Sequence, residues 1–187
     1  MTRRAKNAYD TAGQRKYLSR AEGREFLAQV VQWPRDEALF CLTLYYSGCR
    51  ISEALNLRSS DLDASMRVLL IRSLKKRGKI ETRRIPIPEF LTRELSGLVA
   101  AEANAPLWTF SRTTGWRIIK RVMQQAGISG VQATTKGLRH AFGVRGAMGQ
   151  VPLNIIQSWM GHADLSTTAI YLAVRDEEER ILIEKTW

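Results

Sequence analysis

Several side chains in this sequence are of types that could act together on one anionic centre. Arg50 and Glu53 stand three apart, a spacing that places both on one face of a helix. Lys75 and Lys76 open the basic run Lys75-Lys76-Arg77-Gly78-Lys79. Lys136, Arg139 and His140 share the stretch Thr135-Lys136-Gly137-Leu138-Arg139-His140. His162 follows Gly161, and Tyr171 comes nine residues after His162. A phosphodiester is the centre that suits them. Two Arg can clamp its non-bridging oxygens and neutralise a pentacoordinate transition state. A Lys can protonate the departing 5′ oxygen, and a Tyr hydroxyl can attack phosphorus and hold it covalently. No run of Asp/Glu at ligand spacing lies among these elements, and there is no His/Cys cluster. A cationic site with a covalent Tyr and neither metal nor cofactor therefore fits better than a two-metal nuclease site.

The charge points the same way. Lys and Arg outnumber Asp and Glu 29 to 18, a net charge of +11. Such an excess on a folded domain implies a polyanionic partner, most often nucleic acid. There is no uninterrupted apolar run long enough to cross a membrane, and no basic amphipathic anchor stands out, so no membrane partner is expected. The N-terminal stretch is basic and polar and lacks the apolar core of a signal peptide. Two Cys, Cys41 and Cys49, sit in an apolar stretch and read as reduced core residues. A cytoplasmic, nucleoid-associated bacterial protein is the expectation.

These side chains need elements to position them. Residues 1–18 read as a basic arm lying on DNA or free in solution. Ser19-Arg20-Ala21-Glu22 has the form of a capping box, and Phe26, Leu27, Val30 and Val31 follow at helical spacing until Trp33-Pro34. The run from Ala38 to Tyr46 is apolar nearly all round, which predicts a buried central helix stopped by Gly48. A short helix carrying Arg50 and Glu53 follows. Residues 66–73 read as a strand, the Lys75–Lys79 run as a basic turn, and 84–88 as a returning strand closed by Pro. A helix is expected over Glu89–Ala103, and another over about Thr113–Ala126. Ile119, Val122, Met123 and Ala126 form the apolar side of the second. Its other side, with Arg112 just ahead of it and with Arg117, Lys120 and Arg121, is either solvated or enters the DNA major groove. Helices over Leu138–Met148 and from Pro152 to Met160 come next. Asp176-Glu177-Glu178-Glu179 opens a last one, ending in Ile181, Leu182, Ile183 and Trp187.

The chain resembles the catalytic domain of the tyrosine recombinase (phage integrase) family over about residues 19–187. Ser47 to Leu57 is similar to the family's first Arg box, Thr135 to Phe142 to its second, and Met160 through Tyr171 to its Gly-His and nucleophile. The three boxes keep the family's order and spacing. The fold implied is mainly α with a small antiparallel sheet (α+β). The function implied is site-specific DNA recombination or integration, of the kind used by mobile elements, through a 3′-phosphotyrosyl intermediate. Carried over by residue, Arg50 and Arg139 bind the scissile phosphate and Lys75 is the general acid, with Lys76 as its rival. His162 donates to a phosphate oxygen or to the Tyr, Tyr171 is the nucleophile, and Glu53 orients the site. The family usually has His where this chain has Lys136, and Lys is a poor base unless burial or nearby cations depress its pKa. His140 is a candidate substitute, though in the family that position is more often structural. The resemblance also implies a tetramer on paired DNA sites, monomeric when free, with the last helix packing in trans; docking on its own domain is the alternative. Family members usually carry an N-terminal core-binding domain, and here only about 18 residues precede the first helix, so that domain is expected to be absent. Lys136 also leaves open a type IB topoisomerase-like relaxase, and a non-catalytic DNA-binding module is the remaining reading.

Overall fold

A thirteen-residue helix, α2 (Arg35–Ser47), runs through the middle of the protein and buries Leu39, Phe40, Cys41, Thr43, Leu44 and Tyr45. It is apolar nearly all round because elements pack on it from several sides. This is a computed structural model, and it describes residues 8–74, 80–172 and 177–184. Helix α1 (Arg20–Val30) is capped by Ser19, whose side chain and that of Glu22 close the expected capping box. Gly48 ends α2 in the left-handed conformation at φ 59°. A Cβ there would come within 2.5 Å of the Phe142 ring, so glycine is needed both for the turn and for the approach of helix α6 (Thr135–Met148). Cys41 and Cys49 are both buried and unbridged.

Helix α3 (Ile51–Leu55) follows. Strands β1 (Leu62–Asp63), β2 (Val68–Leu74) and β3 (Ile80–Pro86) then form an antiparallel sheet in the order β1-β2-β3. Ile71 pairs with Arg83 and Ser73 with Glu81, so Leu69, Ile71, Ser73, Arg83 and Ile85 share one face. All five are buried. The opposite face carries the ion pairs Arg72–Asp61 at 2.7 Å and Arg84–Asp63 at 3.6 Å. Lys75 and Lys76, expected at the hairpin tip, lie outside the described residues.

Helix α4 (Glu89–Ser96) is shorter than the sequence predicts. It stops at Gly97, and the chain beyond turns back and is pinned against the loop after α3. Ser59 and Leu107 donate their backbone N–H groups to Ala105 O at 2.9 Å and Leu57 O at 3.0 Å. Ser60 likewise donates its backbone N–H to Ala103 O at 2.9 Å, and Ala100 donates its own to Ser59 Oγ at 3.0 Å, a pairing that a helix through Ala103 would forfeit. Helix α5 (Arg112–Gln125) buries Ile118, Ile119, Val122 and Met123. Trp108 packs edge-on against Phe40 and donates its indole N–H to Ala54 O at 2.8 Å. Helices α7 (Leu153–Met160) and α8 (Ser166–Ala169), a 3-10 turn at Ile170–Leu172, and α9 (Glu177–Ile183) complete the described chain.

The largest departure from the sequence reading is at the N-terminus. Residues 8–18 are not an extended arm. Asp10 Oδ1 accepts backbone N–H bonds from Ala12 and Gln14, and Lys16 donates its backbone N–H to Ala8 O, closing a tight turn. Tyr9 and Tyr17 bury their rings and join their hydroxyls at 3.0 Å. Counting charges hid two aromatics and Leu18, whose apolar surface is the reason this segment packs on the body.

Candidate active site

Glu53 is the hub of the site. It is 6% exposed. Its Oε1 accepts from the Arg50 guanidinium at 2.7 Å, the Ser73 hydroxyl at 2.6 Å and Arg83 Nη1 at 3.3 Å. Its Oε2 accepts from the Arg50 backbone N–H at 2.8 Å and Arg83 Nη2 at 2.9 Å. Burial alone would raise the carboxyl pKa. The hydrogen bonds from Arg83, Arg50 and Ser73 and the Arg83 charge overcome it and hold the pKa at about 2. Glu53 is thus a fixed anion. Arg50 caps α3 through this pair and leaves its side chain 47% exposed toward solvent. Arg83 also donates Nε–H to Trp159 O at 3.0 Å, tying β3 to the end of α7.

Arg139 projects from α6 into the same region. Thr134 caps that helix by accepting the Gly137 N–H at 3.0 Å. The Arg139 guanidinium donates to Gly48 O at 2.7 Å and to Met160 O. Its pKa is lowered to about 10, by burial first and then by the Arg50 charge. At neutral pH it remains a cation, locked in place by backbone carbonyls, with its further N–H donors available to a ligand.

Tyr171 lies in the 3-10 turn and is 1% exposed. Its ring lies against Gly143 of α6, where a Cβ would overlap it, and stacks on His162 at 6.2 Å between centroids. His162 is oriented in turn by a 2.9 Å bond between Nδ1 and the Thr168 hydroxyl. The Tyr171 hydroxyl is 3.0 Å from His140 Nδ1. Burial pushes the phenol pKa up to about 12 against the opposing charges of Arg139 and Arg50. Burial, then Lys136, Arg139 and Lys16, push the His140 imidazole down to about 4. Gly161, left-handed at φ 60°, ends α7 beside Arg83, and a Cβ there would stand 2.5 Å from Arg83 Nη1.

Arg50, Arg139, Lys136, His140, His162 and Tyr171 line one cleft of about 520 Å³. Lys16 and Arg112 line it too, while no carboxylate among the described residues does. Five cationic side chains around a buried phenol are suited to one phosphate with a nucleophile beside it. Sequence reasoning missed Lys16, Arg83 and Ser73. Lys16 could have been found from the Tyr9/Tyr17 spacing that folds its segment back. Arg83 could have been found by giving the 80–86 strand its inward face.

The basic side of α5 does not act as one surface. Arg112 enters the cleft, whereas Lys120 donates to Ala133 O at 2.9 Å and so braces the start of α6. Arg121 lies over the Trp33 ring, 5.3 Å from its centroid, and Arg117 is exposed. Of the last helix, Ile183 is 47% exposed, while Asp176 and Trp187 lie outside the described residues.

The sequence model of the phage integrase family matches residues 18–178. The chain belongs to that family. Among curated relatives of this phage integrase domain, tyrosine recombinase XerA of Thermococcus onnurineus is 31% identical over 181 residues. The alignment covers 91% of this chain and 62% of that protein. The crystal structure of a XerA recombinase superposes with a TM-score of 0.78 at 25% identity, covering 91% of this chain and 64% of the other. The XerH site-specific recombinase bound to its difH substrate superposes at 0.73 with 19% identity, covering 95% and 59%, a likeness of fold. The chain therefore spans under two thirds of the length of these proteins. The fold is the mainly helical one with a small three-stranded antiparallel sheet that its family predicts. Lys16 lies just outside the matched residues.

Proposed function

We propose that this integrase-family chain cuts and rejoins DNA at specific sites through a 3′-phosphotyrosyl intermediate. The observation that carries it is the convergence of Tyr171 with Arg50 and Arg139 on one cationic cleft. The scissile phosphate sits between the two guanidinium groups, with Lys16, Lys136 and Arg112 around it. Tyr171 Oη attacks phosphorus, and the bond to the 5′ oxygen breaks. A hairpin Lys, Lys75 by its place in the sequence with Lys76 as the rival, gives that oxygen its proton. His162, stacked on the nucleophile, donates to a phosphate oxygen. Glu53 fixes the geometry of Arg50 without reacting. Attack by a 5′ hydroxyl on the phosphotyrosine reseals the strand, and because the bond energy is conserved, neither ATP nor metal enters the scheme.

Double-stranded DNA is the partner, supported by the net charge of +11 and by the DNA-bound state of the structurally similar XerH. Strand exchange joins two duplexes, so the working assembly is a tetramer formed on paired sites from monomers, the last helix packing in trans. Action on the bacterial chromosome or its mobile elements, at the nucleoid, follows from that activity. Tyr171→Phe tests the reading. With a nicked suicide substrate on a denaturing gel, the native protein forms a covalent adduct and the variant binds DNA but forms none; an adduct retained by the variant refutes it. Lys136 in the cleft supports one second reading, relaxation of supercoiled plasmid without defined recombinant junctions, which a plasmid assay distinguishes.

A further inference from the structure

The Tyr171 hydroxyl already has a partner able to take its proton. His140 Nδ1 lies 3.0 Å from it, with ring centroids 5.8 Å apart. Both side chains line the cleft that holds Arg50 and Arg139. Lys136 stands where the resemblance leads one to expect His, one helical turn before His140, and it is exposed at the start of α6. An ammonium group has no lone pair with which to accept a proton. We propose that His140 is the general base for Tyr171, an assignment that rests on the strand-transfer reading above.

In the tautomer protonated at Nε2, Nδ1 accepts the hydrogen bond donated by the Tyr171 hydroxyl. As Oη closes on phosphorus, the Oη–H bond breaks and an Nδ1–H bond forms, leaving an imidazolium. The Oη–P bond forms while the bond from phosphorus to the 5′ oxygen breaks, and that oxygen takes a proton from the hairpin Lys. One proton enters His140 and one leaves the Lys, so the charge of the site is unchanged. Religation runs the same steps backwards, with the imidazolium returning its proton to the departing Oη.

The groups around the imidazole set the timing. Lys136 and Arg139 on α6, and Lys16 from the N-terminal turn, keep it neutral at physiological pH together with its burial. Tyr171 faces it from the 3-10 turn, and His162 stacks on the Tyr171 ring. Full ionisation of Tyr171 before attack is strongly uphill for a buried phenol, so proton transfer accompanies formation of the Oη–P bond. The bound phosphate offsets the surrounding cations and makes His140 a better acceptor at the moment it is needed.

The test is single-turnover adduct formation on a suicide duplex whose 5′-bridging oxygen is sulfur. That leaving group needs no proton, so the rate reports the nucleophile's proton alone. The native protein should give a rate nearly independent of pH across the neutral range, falling in acid as His140 protonates. His140→Asn should lose roughly 100- to 10,000-fold, the usual contribution of a general base, and its rate should rise about tenfold per pH unit because Tyr171 must ionise unaided. Added imidazole should restore part of the rate. His140→Gln is the second variant should the first not fold, with the same two readings. A loss below tenfold with the pH profile unchanged overturns the assignment, as does transfer of these effects to Lys136→Ala. A native protein that forms no adduct on any duplex overturns the strand-transfer reading, and the base assignment with it.

Discussion

Glu53→Gln keeps the size of the side chain and removes its charge, and its cost can be worked from the structure. The folded carboxyl has a pKa of about 2 against an ordinary 4.5. At about 1.4 kcal/mol per pKa unit, that depression contributes roughly 3 kcal/mol at neutral pH. Because the folded pKa is the lower one, the contribution is complete above the unfolded value and disappears as pH falls through the folded value. Near pH 3 less than half of it remains. The glutamine amide would also turn an N–H toward Arg50, Arg83 or Ser73, all of which donate to Glu53 now. Urea unfolding followed by tryptophan fluorescence, at neutral pH and near pH 3, checks this. The native protein should be more stable than the variant by at least about 3 kcal/mol at neutral pH, and the gap should narrow by more than half of that amount in acid. A gap under about 1 kcal/mol at neutral pH, or one that does not change with pH, would falsify the view of Glu53 as a permanently ionised hub.

Gly143→Ala drives a methyl group into the Tyr171 ring. It should cost about 1–3 kcal/mol in chemical denaturation and reduce covalent adduct far more than DNA affinity. Lys16→Ala should lower the slope of log affinity against log salt by about 1 in a titration series. Lys75→Ala should fail on ordinary DNA and recover on the sulfur-bridged duplex. Recovery in Lys76→Ala instead moves the acid by one residue, and equal loss on both substrates removes Lys75 from that role.

Much of this site was legible because its parts obey local rules. The Arg50–Glu53 pair follows from helical spacing and the Gly48 stop from the left-handed cap. The family boxes supplied the grouping of Arg139, His162 and Tyr171. What was not legible depended on register or on tertiary contact. Arg83 and Arg84 are neighbours in sequence, but only the pairing of Arg83 with Ile71 sends it inward to Glu53 while Arg84 reaches Asp63. Helix propensity carried the expected α4 past Ser96, whereas the long-range bonds of Ala100 and Ala103 with Ser59 and Ser60 decide its end. The charged side of α5 reads as uniform on a helical wheel, yet its residues are assigned to different neighbours by what lies opposite each.

The two carbonyls that hold Arg139 have a consequence for when the protein becomes competent. One belongs to Gly48, ninety-one residues earlier, and the other to Met160, twenty-one residues later. The proposed nucleophile, Tyr171, lies later still. No local stretch can assemble this site during synthesis, because contacts so distant in sequence close only when most of the domain has condensed. A ribosome that stalls before Met160 releases a chain that lacks one of the two carbonyls that hold the Arg139 guanidinium. On the function proposed above, competence to cleave would arrive late and all at once, after the chain past Met160 has folded.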